Sequence, residues 1–314
     1  MAREFHHREG QLYCENVPAT ELVAAHSTPL YVYSRAAVLR RYREFREAFA
    51  PAGDPLIAYS VKANGNLAIL RLLSGEGAGA DIVSGGELHR ARLAGIPGER
   101  IVFSGVGKTP LEMAAGLAAG IYGFNVESAG ELRALGELGL ATGQRAPIAL
   151  RINPDIETPT PHHYTRTGHR ASKFGIPSEE VVELYRRAAG HGGLHVRGLS
   201  VHIGSQILDV EPYRRALAHV LEILEQLRGH GIEPEYLDLG GGFGVSYEDD
   251  QSMEAADFAA DLVPMVRESG LRLVLEPGRY VIGAAGLLLT RVLYVKEMGG
   301  KMFVVTDAGM NDLL

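Results

Sequence analysis

Three side chains capable of chemistry lie at the ends of apolar runs that otherwise read as buried strands. Lys62 follows "LIAYSV", His202 lies in "GLSVHIG", and Glu276 follows "RLVL". Beside them stand Ser205 in "HIGSQI", the glycine run "GGGFG" from Gly240 to Gly244, and Gly278-Arg279 in "EPGRY". Taken singly, each has an ordinary reading. A strand-end lysine is commonly a snorkelling side chain, a strand histidine a hydrogen-bonded core residue, and a glycine run a tight connection. Taken together, an amine, an imidazole, a carboxyl and an arginine around one glycine nest are hard to explain as structure alone.

The combination has a chemical logic. An amine whose charge is destabilised by burial and cationic neighbours condenses with an aldehyde. Backbone N–H groups of Gly240, Gly241 and Gly242, with those near Gly278 and Arg279, can surround a dianionic phosphate, because glycine permits close approach. The run does not have the dinucleotide G-x-G-x-x-G spacing with a following acidic ribose ligand. A carboxylate opposite a pyridine nitrogen keeps that nitrogen protonated, and an imidazole can lie flat on the ring. These parts fit pyridoxal 5'-phosphate, with Lys62, His202 and Glu276 as the catalytic candidates.

Such residues need a scaffold that gathers strand ends. Short β-branched runs alternate here with longer segments of helical period, the pattern of repeated βα units around a parallel sheet. Strands are predicted over 56–61, 80–84, 100–105, 122–127, 148–153, 198–204, 236–242 and 272–278. Seven helical segments lie between them, most closed by Gly. Eight strands joined by right-handed crossovers imply an α/β fold of the TIM-type (β/α)8 barrel class, with an open doubly wound sheet as the other architecture. In a barrel, chemistry gathers at the C-terminal strand ends, and these ends are unusually polar: Ser60 to Asn64, Ser84 to Glu87, Asn125 to Ser128 and Arg151 to Pro154 join the sites above. After residue 283 the pattern changes to two β-rich runs joined by "MGGK", the expected start of a β-domain.

Composition narrows the partners. The 314 residues are 46% hydrophobic and 22% charged, enough for a large core, and a net charge of −7 gives no basic footprint for nucleic acid. No window has the roughly 18 apolar residues needed to span a bilayer. A single cysteine, Cys14, excludes an intramolecular disulfide framework, and the charged N-terminus lacks an apolar signal segment. The expectation is a cytoplasmic protein acting on a small molecule, with no metal implied.

"YSVKAN", "FNVES", "RINP", "TGHRASKFGI", "HIGSQI", "LDLGGGFGVSY", "EPGRY" and "DAGMND" resemble, in order, the motifs of diaminopimelate decarboxylase, a pyridoxal-phosphate enzyme of the alanine racemase-like barrel fold. The resemblance runs from about Tyr31 to the last residue. It implies that Lys62 is the Schiff-base lysine, that His202 stacks on the cofactor ring, and that Ser205, Gly241 and Gly242 lie near the phosphate. It further implies that Glu276 pairs with the pyridinium and that Arg279 binds a substrate carboxylate. His162, or its neighbour His163, matches the family's loop histidine and would contact substrate. The implied organisation is an N-terminal segment over 1–30, a cofactor-binding barrel over 31–283, and the beginning of a C-terminal β-domain over 284–314. Family members continue into a "CESxD"-like motif that reaches the neighbouring subunit's site, so a homodimer and a shortened chain are expected. The implied reaction is decarboxylation of meso-2,6-diaminopimelate to L-lysine, the last step of lysine biosynthesis. Decarboxylation of a related basic amino acid or carboxylated polyamine, and a non-catalytic cofactor-carrying barrel, are the alternatives.

Overall fold

The computed structural model describes residues 4–156, 168, 172–246 and 254–313. The chain divides into two compact units, Tyr42–Tyr280, and Met1–Arg41 with Val281–Leu314.

The first unit is a closed parallel barrel. Its strands are β1 (Leu56–Ser60), β2 (Gly79–Ile82), β3 (Ile101–Phe103), β4 (Gly123–Val126), β5 (Ala146–Asn153), β6 (Leu194–Val201), β7 (Tyr236–Asp238) and β8 (Arg272–Leu275). Neighbours in sequence pair in parallel, and β8 closes on β1 through Val274 opposite Leu56 and Leu275 opposite Ile57. The residue pair Ile176–Pro177 extends the end of β5. Inward side chains fill the barrel: Leu56, Ala58, Val102, Tyr122, Ala149, Tyr236 and Val274 form one buried cluster. Barrel strands are covered on both sides, which explains their continuous apolar character and makes each polar residue within them conspicuous.

The helices lie where the 3.6-residue period places them: α1 (Leu67–Gly75), α2 (Gly85–Leu93), α3 (Pro110–Ala118), α4 (Ala129–Thr142), α5 (Ser178–Ala189), α6 (Glu211–Gly229) and α7 (Ala255–Ser269). Local chemistry sets their starts. Asn66 caps α1, Ser84 caps α2 and Ser128 caps α4 by accepting from backbone N–H groups, while Thr109 and Glu112 make a reciprocal capping box on α3. The apolar face of α6, including Tyr213, Leu217, Val220, Leu224 and Leu227, is buried at spacings of three and four. A further helix, Arg35–Phe49, was not among the segments expected from sequence. Its last turns place Phe45 and Phe49 against Phe243.

All the predicted strands but the fifth end sooner than expected. The sixth stops at Val201 and the seventh at Asp238, so His202 and Gly240–Gly242 sit on loops. Asp238 Oδ1 accepts the Gly240 N–H at 2.8 Å and Gly240 takes φ +67°, a local turn that ends the ladder.

The second unit is antiparallel. Phe5–Arg8, Gln11–Cys14 and Val17–Pro18 form a three-stranded sheet, and Leu30–Tyr33 pairs with Gly286–Leu289. Val292–Met298 and Lys301–Thr306 form a hairpin turned by Gly299 and Gly300, both at positive φ. Asp307 ties this unit together by accepting from Thr28 Oγ1 at 2.5 Å, Thr290 Oγ1 at 2.7 Å and the Arg291 N–H at 2.9 Å. These donors, Thr28 first, hold its carboxyl down at about 2. Among the described residues, no helix is long and apolar enough to cross a membrane.

Candidate active site

The C-terminal mouth of the barrel is built from the strand ends upward. A single 3-10 turn, Val61–Ala63, follows β1 and carries Lys62. Strand register sets Ser60 opposite Asp81 of β2, and Lys62 Nζ reaches Asp81 Oδ2 at 2.5 Å and Ser60 Oγ at 3.4 Å. Ser60 Oγ donates to the same Asp81 oxygen at 2.7 Å. Asp81 is fully buried, and its second oxygen, Oδ1, has no hydrogen-bond partner among the described residues. The Lys62 side chain keeps 46% of its surface accessible, so its amine is reachable from the mouth.

Electrostatics at Lys62 run opposite to the expectation from sequence. Burial disfavours the ammonium and Arg151 does so weakly, but the carboxyls of Asp81 and Glu276 outweigh them and hold the lysine above its ordinary value. The amine is therefore a paired ammonium here, and the neighbours that matter are acidic rather than cationic.

Glu276 follows β8 and is 4% exposed. Its Oε1 lies 3.3 Å from Ser104 Oγ and 3.3 Å from Asn125 Nδ2. The same Asn125 nitrogen donates to Asp238 Oδ2 at 2.8 Å, so one amide N–H group bridges the Asp238 and Glu276 carboxyls. Burial first, then the negative charges of Asp238 and Asp81, push Glu276 well above the usual carboxylate range. The side-chain amide oxygen of Asn125, Oδ1, is buried without a hydrogen-bond partner among the described residues.

His202 Nδ1 accepts the Gly241 N–H at 3.1 Å, so the neutral ring carries its hydrogen on Nε2. Burial, followed by the cations of Arg151 and Lys62, holds this imidazole well below its ordinary value, and it is neutral. Arg151 Nη2 donates to the His202 carbonyl at 3.3 Å. Glycine is required beside it. A Cβ on Gly241 would sit 2.1 Å from the Glu276 carbonyl oxygen, and one on Gly242, whose φ is +96°, would sit 2.3 Å from that of Gly204. Tyr213 Oη fixes the loop by donating to the Gly241 carbonyl at 2.9 Å.

The structure thus brings Lys62, Glu276, His202, Gly241 and Gly242 to one mouth. Gly278 packs against Ser60 and Ala63, where a Cβ would lie 2.9 Å from Ser60 Cβ. Ser205 is partly exposed on the loop after β6, and the exposed Arg279 opens the short helix Arg279–Ile282. His162 and His163 lie outside the described residues. Sequence reasoning missed Asp81, Ser104 and Asp238, and it placed Asn125, Glu127 and Arg151 among the polar strand ends without giving them a role. Their signal was present: Asp81, Asn125 and Asp238 are each a polar residue in a short strand of otherwise apolar or small residues.

A second buried charge cluster flanks the first. Arg151 Nη1 pairs with Glu127 Oε1 at 2.8 Å, and Lys108 Nζ pairs with Glu131 Oε1 at 2.7 Å while also donating to the Gly105 and Asn125 carbonyls. The backbone N–H groups of Gly105 and Gly175 complete the coordination of Glu127.

The first cluster fits pyridoxal phosphate on this geometry. It offers an accessible amine, a buried carboxyl facing the same mouth, a neutral imidazole, a glycine turn that no side chain could replace, and buried acceptors left without donors. Residues 35–283 match the family model of the pyridoxal-binding domain of pyridoxal-dependent decarboxylases. The chain is 45% identical over 309 residues to the diaminopimelate decarboxylase of Aquifex aeolicus, covering 98% of this chain and 73% of that one. Among solved structures it resembles diaminopimelate decarboxylase from Helicobacter pylori complexed with L-lysine, at 40% identity and a TM-score of 0.90, covering 94% of this chain and 74% of that one. It also resembles diaminopimelate decarboxylase from m. jannaschii in co-complex with L-lysine, at 36% identity and a TM-score of 0.93, covering 99% of this chain and 74% of that one. The cofactor is accordingly pyridoxal 5'-phosphate. Fold, site chemistry and these likenesses agree: the chain belongs to the pyridoxal-dependent decarboxylases, in the diaminopimelate decarboxylase family.

Proposed function

We propose that this chain decarboxylates meso-2,6-diaminopimelate to L-lysine and CO2, closing lysine biosynthesis, and that Lys62 is its covalent attachment point for the cofactor. The observation that carries the reading is Lys62 Nζ, accessible at the mouth and paired at 2.5 Å with a buried carboxylate, beside Glu276. Bound pyridoxal phosphate supplies an electron sink for the pair of electrons left by departing CO2.

The protein's own residues prepare that chemistry. Lys62 must shed a proton from Nζ to become a nucleophile, and Asp81 Oδ2 is in hydrogen-bond contact to receive it. Glu276 offers a carboxyl to the ring nitrogen, while neutral His202 presents its ring face. The N–H groups around Gly241, Gly242 and Gly278, with Ser205, bind the phosphate, and Arg279 takes a substrate carboxylate. His162, or its neighbour His163, contributes a substrate contact. We further propose that the barrel spans 31–283, flanked by segments 1–30 and 284–314, and that the protein works as a cytoplasmic homodimer. The lone cysteine agrees with a reducing compartment.

The test is product analysis. The loaded protein, given meso-diaminopimelate, lysine, ornithine and arginine in parallel, should release CO2 from the first and accumulate L-lysine. Cadaverine, putrescine or agmatine as the main product would assign it to another basic amino acid instead.

A further inference from the structure

The Asn125 amide bridges two carboxyls: its Nδ2 lies 2.8 Å from Asp238 Oδ2 and 3.3 Å from Glu276 Oε1. Asp238 has no exposure and Glu276 has 4%. Facing Glu276 are Asp238 of β7, Asp81 of β2 and Lys62 after β1; facing Asp238 are Glu276, Asp81 and the phenol of Tyr236. Three buried carboxyls therefore meet one lysine, and Lys62 is already matched to Asp81. Two carboxylates cannot both stay ionised in contact without a cation, so such a pair binds a proton.

We propose that Asp238 is a positioning residue that holds one proton in common with Glu276 across the Asn125 bridge, and that this stored proton is released when the ring's pyridinium takes its place beside Glu276. The inference rests on the assignment of Glu276 to the ring nitrogen. On binding, the O–H bond of the Glu276 carboxyl breaks, its proton passes to solvent, and Glu276 is left as the carboxylate that would pair with the pyridinium. Nothing is oxidised or reduced. The direction of the Glu276 shift agrees, since burial and Asp238 both favour its acid form. Asp238 thus stores the proton before the cofactor arrives. Afterwards its negative charge keeps Glu276 basic, which favours the protonated ring.

The experiment uses infrared difference spectroscopy of the full chain, free and loaded with pyridoxal phosphate, with carbon-13 in glutamate or in aspartate carboxyls. A carboxylic-acid C=O band at neutral pH that shifts with glutamate labelling and disappears on loading is expected. Its absence from the free protein overturns the proposal. In Asp238→Asn the band should be missing while borohydride still traps a pyridoxyl group on Lys62. Binding should then release one fewer proton per site than in the parent, read by calorimetry in buffers of different ionisation enthalpy. Affinity should weaken by about tenfold more per pH unit on the alkaline side. A glutamate acid band that persists in Asp238→Asn also overturns it. Should that variant fail to fold, the labelled parent chain decides alone. Failure to trap any cofactor on Lys62 in the parent would instead strike the proposed function.

Discussion

Two buried charge clusters share one barrel mouth, and they are balanced differently. On the β4–β5 side, Glu127 meets Arg151 and two backbone N–H groups, while Lys108 meets Glu131 and two carbonyls. Charge there sums to zero and each of these groups is partnered. On the β1, β2, β7 and β8 side, Asp81, Asp238 and Glu276 share Lys62, and Asp81 Oδ1 and Asn125 Oδ1 are buried without donors among the described residues. A balanced cluster holds a structure together; an unbalanced one is poised to accept a cation. The pyridinium and the aldehyde of the cofactor answer the unbalanced side.

If this division is right, mutations on the two sides should fail in different ways. Lys62→Ala should lower turnover more than about 10^3-fold, as removal of a catalytic nucleophile does, with the fold retained by circular dichroism. Turnover near the parent's would remove Lys62 from the chemistry. Glu127→Ala strands Arg151 in the wall and should cost about 3–5 kcal/mol of stability, seen as a lower Tm, while trapped cofactor on the surviving folded protein stays at parent level. Glu276→Gln should do the reverse. Turnover should drop on the order of 10^2-fold or more, as for loss of a preorganised electrostatic partner, with the cofactor-free protein no less stable.

The pH response separates the clusters further. Glu276 is raised from an ordinary value of 4.5 by burial, so the folded chain holds a proton that the unfolded chain releases. Its contribution is complete below that ordinary value and is lost as pH rises toward the folded one. Cofactor-free protein should therefore lose stability from about pH 5 upward, and Glu276→Gln should flatten that slope; an identical slope in both would contradict the shift. The smallest effect expected is Tyr213→Phe, which removes one hydrogen bond to Gly241 and should cost about 1 kcal/mol of stability, with a slightly weaker hold on the cofactor.

Much of this was legible in the sequence, for identifiable reasons. The apolar period fixed α1 and α6 to the residue, and alternation of strand and helix gave the eight-stranded barrel. Lys62 and Glu276 stood out because an ionisable group at the end of a doubly covered strand has to be explained. Asp81, Asn125 and Asp238 are equally anomalous in their strands, but what they do depends on register. Ser60 opposite Asp81 and Ser200 opposite Asp238 are facts of pairing between strands, which local pattern does not contain. The sign of the Lys62 shift was missed for the same cause, since its carboxylate partners come from β2 and from the end of β8. The helix Arg35–Phe49 had readable spacing in Val38, Tyr42, Phe45 and Phe49, yet it precedes the first barrel strand and so fell outside the βα alternation.

The most direct measurement is borohydride reduction of the chain incubated with pyridoxal phosphate, followed by peptide mass mapping. The account predicts loss of the visible absorption band and a single pyridoxyl group on Lys62. A pyridoxyl group on another lysine, or none at all on the folded chain, would contradict it.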